Sequence, residues 1–369
     1  MDRTSIVESG THHQRTIGDG SNPEGTRMAR IGILTSGGDC PGLNAVIRSC
    51  VLRGIRVYGD EFVGFTDGWR GLVEGTAITL DWMSVRGIGG QGGTILGTSR
   101  ANPLDETGGI ERIHANLRSA GVDALIVIGG EGTLTAAKIL SDGGIPIVGV
   151  PKTIDNDLSA TDFSFGFHTA VEIATEAIDR LKTTGQSHHR CMIAEVMGRH
   201  VGWIALYAGM ATSAHAILIP ERSATLDEIC EWVEGPFRRG RTPLVVVAEG
   251  FVSDEMSEPH SERGLDAFDR PRLGGIGERL EPLIEQRTGI ETRSTTLGHI
   301  QRGGAPSASD RVLATRLGLA AVDAVHDNAW GQMVATRADE IIRVSFDESV
   351  GRLKTVPQSR YDEATYLFG

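Results

Sequence analysis

Two aspartates, Asp155 and Asp157, stand two positions apart in "PKTIDND" (151–157). In a short extended segment that spacing turns both carboxylates to one side. A carboxylate beside a substrate hydroxyl can accept its proton while a phosphoryl group is transferred to the oxygen. The same residues can equally cap the backbone of a turn, a common use of Asp-Asn-Asp. Upstream, "VIGGEGTLTAA" (127–137) passes from an apolar run into Gly129, Gly130 and Gly132, with Glu131 between them and Thr133 after. The glycines leave room for phosphate, and a helix beginning near Thr133 would aim its positive end there. An acid in such a loop repels phosphate unless magnesium lies between, which makes Glu131 a candidate Mg²⁺ ligand. "LTSGGDCPGLNAVIRSCV" (34–51) repeats the pattern with Gly37 and Gly38, and Pro41 falls where a helix would start. An ordinary turn capped by Asp39 is the alternative there. The basic counterparts are Arg100, Arg190, Arg199, Arg293 and Arg302, each expected at or near a strand end, with His299 in "LGHIQRGG" (297–304). The guanidinium fork suits phosphate, although each arginine alone could be a surface ion pair.

The elements that must hold these groups follow from periodicity. The runs 30–36, 123–130, 146–150, 190–198, 215–220 and 243–250 are continuously apolar and predict buried strands. Between them, 167–184 predicts a helix with Val171, Ala174, Ile178 and Leu181 on one face. A second helix over 310–327 places Val312, Leu313, Leu317, Leu319 and Val322 near one face. Alternating buried strands and helices define an α/β fold with mainly parallel sheets flanked by helices. Ligands in such folds sit at the carboxyl ends of the strands, where the glycine loops and acids fall. Walker A is absent, and "GIGGQG" (87–92) has neither the preceding strand nor the following helix of a dinucleotide site.

With 369 residues the chain has room for two domains, and a net charge of −12 argues against a nucleic-acid surface. It does not exclude an anionic substrate, because local arginines can outweigh it. Cys40, Cys50, Cys191 and Cys230 show no metal spacing, so buried thiols and a reducing, cytoplasmic setting are expected. No apolar window is long enough for a membrane span. Residues 1–27 are polar and aperiodic and predict a disordered extension, with Met28 a second candidate start. His12 and His13 within it could bind metal or belong to a solvated tail.

Taken together, "LTSGGDCPGLNAVIR", "GGTILGTSR", "IGGEGT", "PKTIDND", "EVMGRHVGW", "VAEG" and "TLGHIQRGG" resemble the 6-phosphofructokinases in order and spacing, from Arg30 to about Ser345. The resemblance implies transfer of a phosphoryl group to the 1-hydroxyl of fructose 6-phosphate, with Mg²⁺, in two α/β domains flanking a cleft. Residues 28–166 and 302–350 would form the donor domain, and 167–301 and 351–369 the fructose 6-phosphate domain. Asp155 would be the base, with Thr153, Asp157 and Arg199 beside it. Gly38, Arg100, Gly130, Glu131, Gly132 and Thr133 would hold the donor. Thr153, Ile154, Met197, Gly198, Arg199, Glu249, His299, Ile300, Gln301 and Arg302 would contact the sugar phosphate. Arg190 and Arg293 would do so from a neighbouring subunit of a homodimer or homotetramer. No nucleic-acid or membrane partner is implied.

The chain departs from the family pattern at Glu131, where aspartate is usual. Pyrophosphate-using members carry aspartate at the next position, in the place of the ATP α-phosphate, and here it is Gly132. Lys152, by contrast, is what pyrophosphate-dependent members have. The mixture is similar to a mixed-substrate branch of the family, and ATP is the expected donor, with pyrophosphate the alternative. A lysine at 152 can stabilise transferred phosphate from either donor. Arg48, Arg239 and Arg241 lie near effector-binding positions of regulated relatives, but Leu52 stands where another arginine would be expected. A lipid- or NAD-type kinase would not need the "MGR" and "HIQR" segments, and intact Asp155, Asp157, Arg199 and Arg302 argue against a catalytically silent regulatory subunit.

Overall fold

The computed structural model describes residues 28–254 and 273–369. The strands are β1 (Arg30–Thr35), β2 (Glu61–Phe65), β3 (Ala77–Leu80), β4 (Ala124–Gly129), β5 (Ile147–Pro151), β6 (Cys191–Val196), β7 (Ala216–Leu218), β8 (Leu244–Ala248), β9 (Thr292–Thr296), β10 (Gln332–Arg337) and β11 (Glu340–Ser345). The helices are α1 (Leu43–Arg53), α2 (Trp69–Glu74), α3 (Gly109–Ser119), α4 (Glu131–Asp142), α5 (Phe167–His188), α6 (Trp203–Ala211), α7 (Leu226–Arg238), α8 (Ile276–Thr288), α9 (Ala308–His326), α10 (Phe346–Ser349) and α11 (Gln358–Thr365).

Two sheets result. The first has seven strands in the order β11-β10-β5-β4-β1-β2-β3. Its five inner strands are parallel, and an antiparallel strand closes each edge, β11 on β10 and β3 on β2. The second is wholly parallel, β7-β8-β6-β9. Its central strands β6 and β8 are buried along their whole length, as continuous apolar runs covered on both faces must be. The α/β class and the six predicted strands stand, each within a residue or two.

The chain leaves the first sheet through α5 and returns through α9. In α5, Ala174 and Ile178 are fully buried, with Val171 and Leu181 packed partly against the same core. The face predicted for α9 needs correction. Leu317 and Val322 are buried, but Val312 is 60% exposed and Leu319 36%. The buried stripe runs instead through Ala314, Leu317, Gly318, Ala321, Val322 and Val325. Size explains the choice: α9 lies against α1, and a Cβ at Gly318 would meet Ser49 Oγ at 2.1 Å and Val46 O at 2.7 Å. Only small residues permit that approach.

Two helix starts also differ from expectation. α4 begins at Glu131, two residues before Thr133, and α1 begins at Leu43, two residues after Pro41. All four cysteines are buried, and among the described residues none forms a disulfide. Among the described residues, no helix is long and apolar enough to cross a membrane. The predicted extension 1–27, with His12 and His13, lies outside the described residues.

Candidate active site

Sheet order decides which loops can meet. β5, β4 and β1 are adjacent and parallel, so the segments after Pro151, Gly129 and Thr35 emerge side by side at one edge. These segments are "KTIDND", "GEGT" and "SGGD". β1 hands the chain to β2 on one side while β4 and β5 build the other, so the two glycine loops flank the point where strand order reverses. The second sheet repeats the device. β8, β6 and β9 are adjacent and end at Ala248, Val196 and Thr296. "EG", "MGRH" and "LGHIQR" follow.

The loop after β1 is knitted to the segment before α3. Gly37 N donates to Ser99 O at 2.9 Å, and Thr98 Oγ1 donates to Gly37 O at 2.7 Å. "GGTILGTSR" is thereby laid along "SGGD", with Arg100 exposed at its end. Lys152 is buried, and its ammonium donates to Gly38 O. Burial pulls its pKa down to about 8. Thr133 is buried with its hydroxyl facing Gly37, since a Cβ there would lie 3.4 Å from it. Gly132 is different: a Cβ added to it meets nothing within 4 Å. It stands in the first turn of α4, facing open space.

The acid segment alternates. Thr153, Asp155 and Asp157 are half-buried, whereas Ile154, Asn156 and Leu158 are buried. The segment is not the extended run expected, since Asn156 between the aspartates has a φ of 54°, yet the two carboxylates are close enough for the charge of Asp155 to act on Asp157. Ile154 points into the core at 0% exposure, which leaves only its backbone to face a ligand. Oδ1 of Asp155 and Oδ1 of Asp157 are buried without a hydrogen-bond partner. Burial and then the neighbouring charge of Asp155 push Asp157 up to about 6, and Glu131 adds to the rise. Negative charge is thus concentrated around unsatisfied oxygens, a setting that suits a divalent cation. No three metal-ligating side chains converge among the described residues. Mg²⁺ commonly binds through one or two carboxylates together with substrate phosphates. The donor set fits it.

On the other side, a Cβ at Gly250 would overlap the carbonyl oxygen of Arg199 at 1.9 Å, and Gly250 N donates to Gly198 O at 3.1 Å. The loops bearing Glu249 and Met197–Arg199 are pressed together in this way. Burial, then Asp155, pushes Glu249 up to about 7, while Arg302 and Arg199 oppose the rise. Glu249 therefore shares an electrostatic environment with the acid segment of the first sheet. Arg302 joins the two sides physically: its Nη1 donates to Asp39 O at 3.3 Å, and its Nε is buried without a partner.

Three expected residues sit in ways the sequence did not reveal. Gln301 is fully buried; its Oε1 accepts from Met197 N at 3.3 Å and its Nε2 donates to Gly298 O. Its side chain is spent on shaping the loop, while His299 and Ile300 are exposed beside it. Arg190 and Arg293 lie at the amino ends of β6 and β9, paired with Glu291 at 2.8 and 2.6 Å. Six strand residues separate Arg190 from Met197, roughly 20 Å. Neither arginine joins the site of its own chain. Thr296, by contrast, was missed. It ends β9 with a buried, unpartnered hydroxyl, and a polar "TRSTT" strand gave no signal for it.

A cavity of about 770 Å³ lies elsewhere, lined by Lys182, His189, His215 and Arg241 with residues 366–369. It opens at the amino ends of the second sheet, away from the loops described above. Arg239, beside it, donates to Gly369 O.

The phosphofructokinase family model matches residues 30–325. A pyrophosphate–fructose 6-phosphate 1-phosphotransferase of Streptomyces coelicolor is 56% identical, over 92% of this chain and all of its own length. ATP-dependent 6-phosphofructokinase 3 of the same organism is 54% identical over 91% of this chain and 98% of its own. The crystal structure of Pichia pastoris phosphofructokinase in the T-state superposes with a TM-score of 0.80 at 35% identity, covering 95% of this chain and 38% of that one. The two sheets and the paired loops at their carboxyl ends are those of a phosphoryl-transfer enzyme. The chain belongs to the phosphofructokinase family, whose reaction is phosphorylation of fructose 6-phosphate.

Proposed function

We propose that the donor is ATP, and that the chain transfers its γ-phosphoryl group to the 1-hydroxyl of fructose 6-phosphate. The observation that carries this is the open space at Gly132, in the first turn of α4 beside the donor loops. An α-phosphate and nucleoside can occupy that space, whereas a carboxylate there would repel them. Pyrophosphate remains the second reading because Lys152 is buried against the donor loop, where it can serve either donor. The relatives named above carry both activities. A coupled assay of fructose 1,6-bisphosphate formation, run with ATP and with pyrophosphate, tests the choice. Turnover with pyrophosphate alone would refute it.

In the proposed reaction Asp155 accepts the 1-hydroxyl proton as the sugar oxygen bonds to the γ-phosphorus and the bond to the β-bridging oxygen breaks. Thr153 Oγ1, accepting from Asp155 N at 3.1 Å, helps fix the start of that loop. Lys152 and Arg199 spread positive charge over the transferred group. Gly38, Arg100, Gly130 and Thr133 hold the donor, with Glu131 the metal-holding residue. Mg²⁺, when bound, neutralises phosphate charge and aligns the donor for in-line displacement. Met197, Gly198, Glu249, His299 and Arg302 orient the sugar phosphate. Arg190 and Arg293, remote from their own chain's site, serve a neighbour's in a homo-oligomer. Residues 28–166 and 302–350 form the donor unit, and 167–301 and 351–369 the sugar-phosphate unit.

A further inference from the structure

Asn156, between the two aspartates, has a left-handed backbone with φ of 54°. Asparagine tolerates that conformation better than most residues, but it needs support. Its Oδ1 accepts from Ser164 N at 3.1 Å and from Lys354 Nζ at 2.8 Å. Lys354 comes from the segment 351–357, which returns across the back of the acid loop after α10. Its ammonium also donates to Thr161 O at 2.9 Å and Asp162 O at 2.8 Å, so all three of its donors are used. Its own backbone N–H donates to Asp157 O at 2.8 Å. One residue thus grips the acid loop at two points and the turn that follows it at two more.

The opposite side of the segment is gripped by the sugar-phosphate unit. Trp203 Nε1 donates to Lys354 O at 2.7 Å. The Glu221 carboxylate accepts from Val356 N at 2.8 Å and from Gly202 N at 3.0 Å. Gly202 and Trp203 follow directly on "MGRHV", the loop that ends β6. The strap therefore ties the backbone of the acid loop to the far end of the loop bearing Met197–Arg199.

We propose that Lys354 is a positioning residue for phosphoryl transfer, fixing the turn at Asn156 and with it the aim of Asp155 and Asp157 relative to the sugar-phosphate loop. It touches no reacting atom. It acts by holding, and misplacement of a reacting group by about 1 Å can cost about a hundredfold in rate. The inference rests on the proposed reaction and on the roles given there to Asp155 and Asp157.

The test is steady-state kinetics of Lys354→Met, Lys354→Arg and the exposed strap variant Arg352→Ala, with melting temperatures beside them. Wild-type turnover on fructose 6-phosphate is measured first with ATP and with pyrophosphate. No turnover with either donor would sink the functional reading, independently of the strap. Given turnover, Lys354→Met should lower kcat roughly 10- to 100-fold. KM for both substrates should stay within about threefold, because no side chain proposed to contact either substrate is removed. Lys354→Arg should recover part of the loss, and Arg352→Ala should match wild type. An unchanged kcat in Lys354→Met, or a loss confined to KM, overturns the proposal. If Lys354→Met does not fold, Trp203→Phe carries the test by removing one donor to the strap while keeping the ring. A lowered kcat at constant KM then supports the inference, and an unchanged kcat overturns it.

Discussion

The ammonium of Lys152 donates to the carbonyl oxygen of Gly38, tying the loop after β5 to the loop after β1. A buried cation is thereby fixed between these two loops. Burial draws its pKa down to about 8, with Arg302 lowering it further and Cys40, Asp39 and Asp155 opposing. Below that value the amine is charged and can stabilise the transferred group; above it the charge is lost. In the free enzyme, kcat/KM for the donor should therefore fall as pH rises through about 8. In Lys152→Met the rate should be low throughout and that alkaline limb absent. A wild-type profile flat from pH 7 to about 10 would dissociate Lys152 from catalysis.

Asp155→Ser should reduce kcat by about 10²–10⁴-fold, the usual cost of losing a positioned base. Fructose 6-phosphate should bind nearly as before, because the residues proposed to hold its phosphate are unchanged. Turnover close to wild type would reassign the proton acceptor.

Gly132→Asp addresses the donor. Nothing lies within 4 Å of the added Cβ, so the folded protein should accept the side chain without loss of melting temperature. Any effect then falls on the ligand. Like charges about 4 Å apart at intermediate dielectric repel by roughly 4 kcal/mol, about a thousandfold in kcat/KM for ATP. Use of pyrophosphate, which has no α-phosphate in that place, should be spared, and Lys152→Gly should harm it more than ATP use. Undiminished ATP turnover in Gly132→Asp would end the reading of Gly132 as the residue that admits ATP.

The position of Arg190 and Arg293 at the amino ends of β6 and β9 makes a prediction about mixtures. Asp155→Ser and Arg293→Ser should each be nearly inactive alone. Unfolded together and reassembled, they should recover roughly a quarter of wild-type activity if dimers form at random, since one site in each mixed dimer is intact. No recovery on mixing would make the site self-contained.

The parts of the fold legible in the sequence were those written in apolar runs. "ALIVIG" and "LVVVA" can only be buried strands, and the residues that follow them fall at the carboxyl edge of a sheet. Asp155 and Asp157 do come near each other, but through a left-handed turn at Asn156 rather than the extended run their spacing suggested. β9 was invisible because "TRSTT" is polar and only Thr292 is fully buried. The face of α9 misled because Val312 and Leu319 are more hydrophobic than Ala314 and Gly318, yet close packing on α1 selects for smallness. Lys354 carried no signal, since its partners Asn156 and Trp203 are remote in sequence and joined only by the fold.

The seven-stranded sheet contains a seam between β5 and β10, where Val148 pairs with Gln332. The chain crosses the entire second sheet between those two residues. A ribosome that has released β5 has therefore exposed an open parallel edge that stays unpaired until the second sheet has been synthesised. Long-range parallel pairing of this kind slows folding, and an open edge invites pairing with other chains. The second sheet, whose strands all lie between Cys191 and Thr296, can complete itself first. Translation arrested just before Gln332 should yield a nascent chain with an ordered second sheet and an aggregation-prone first.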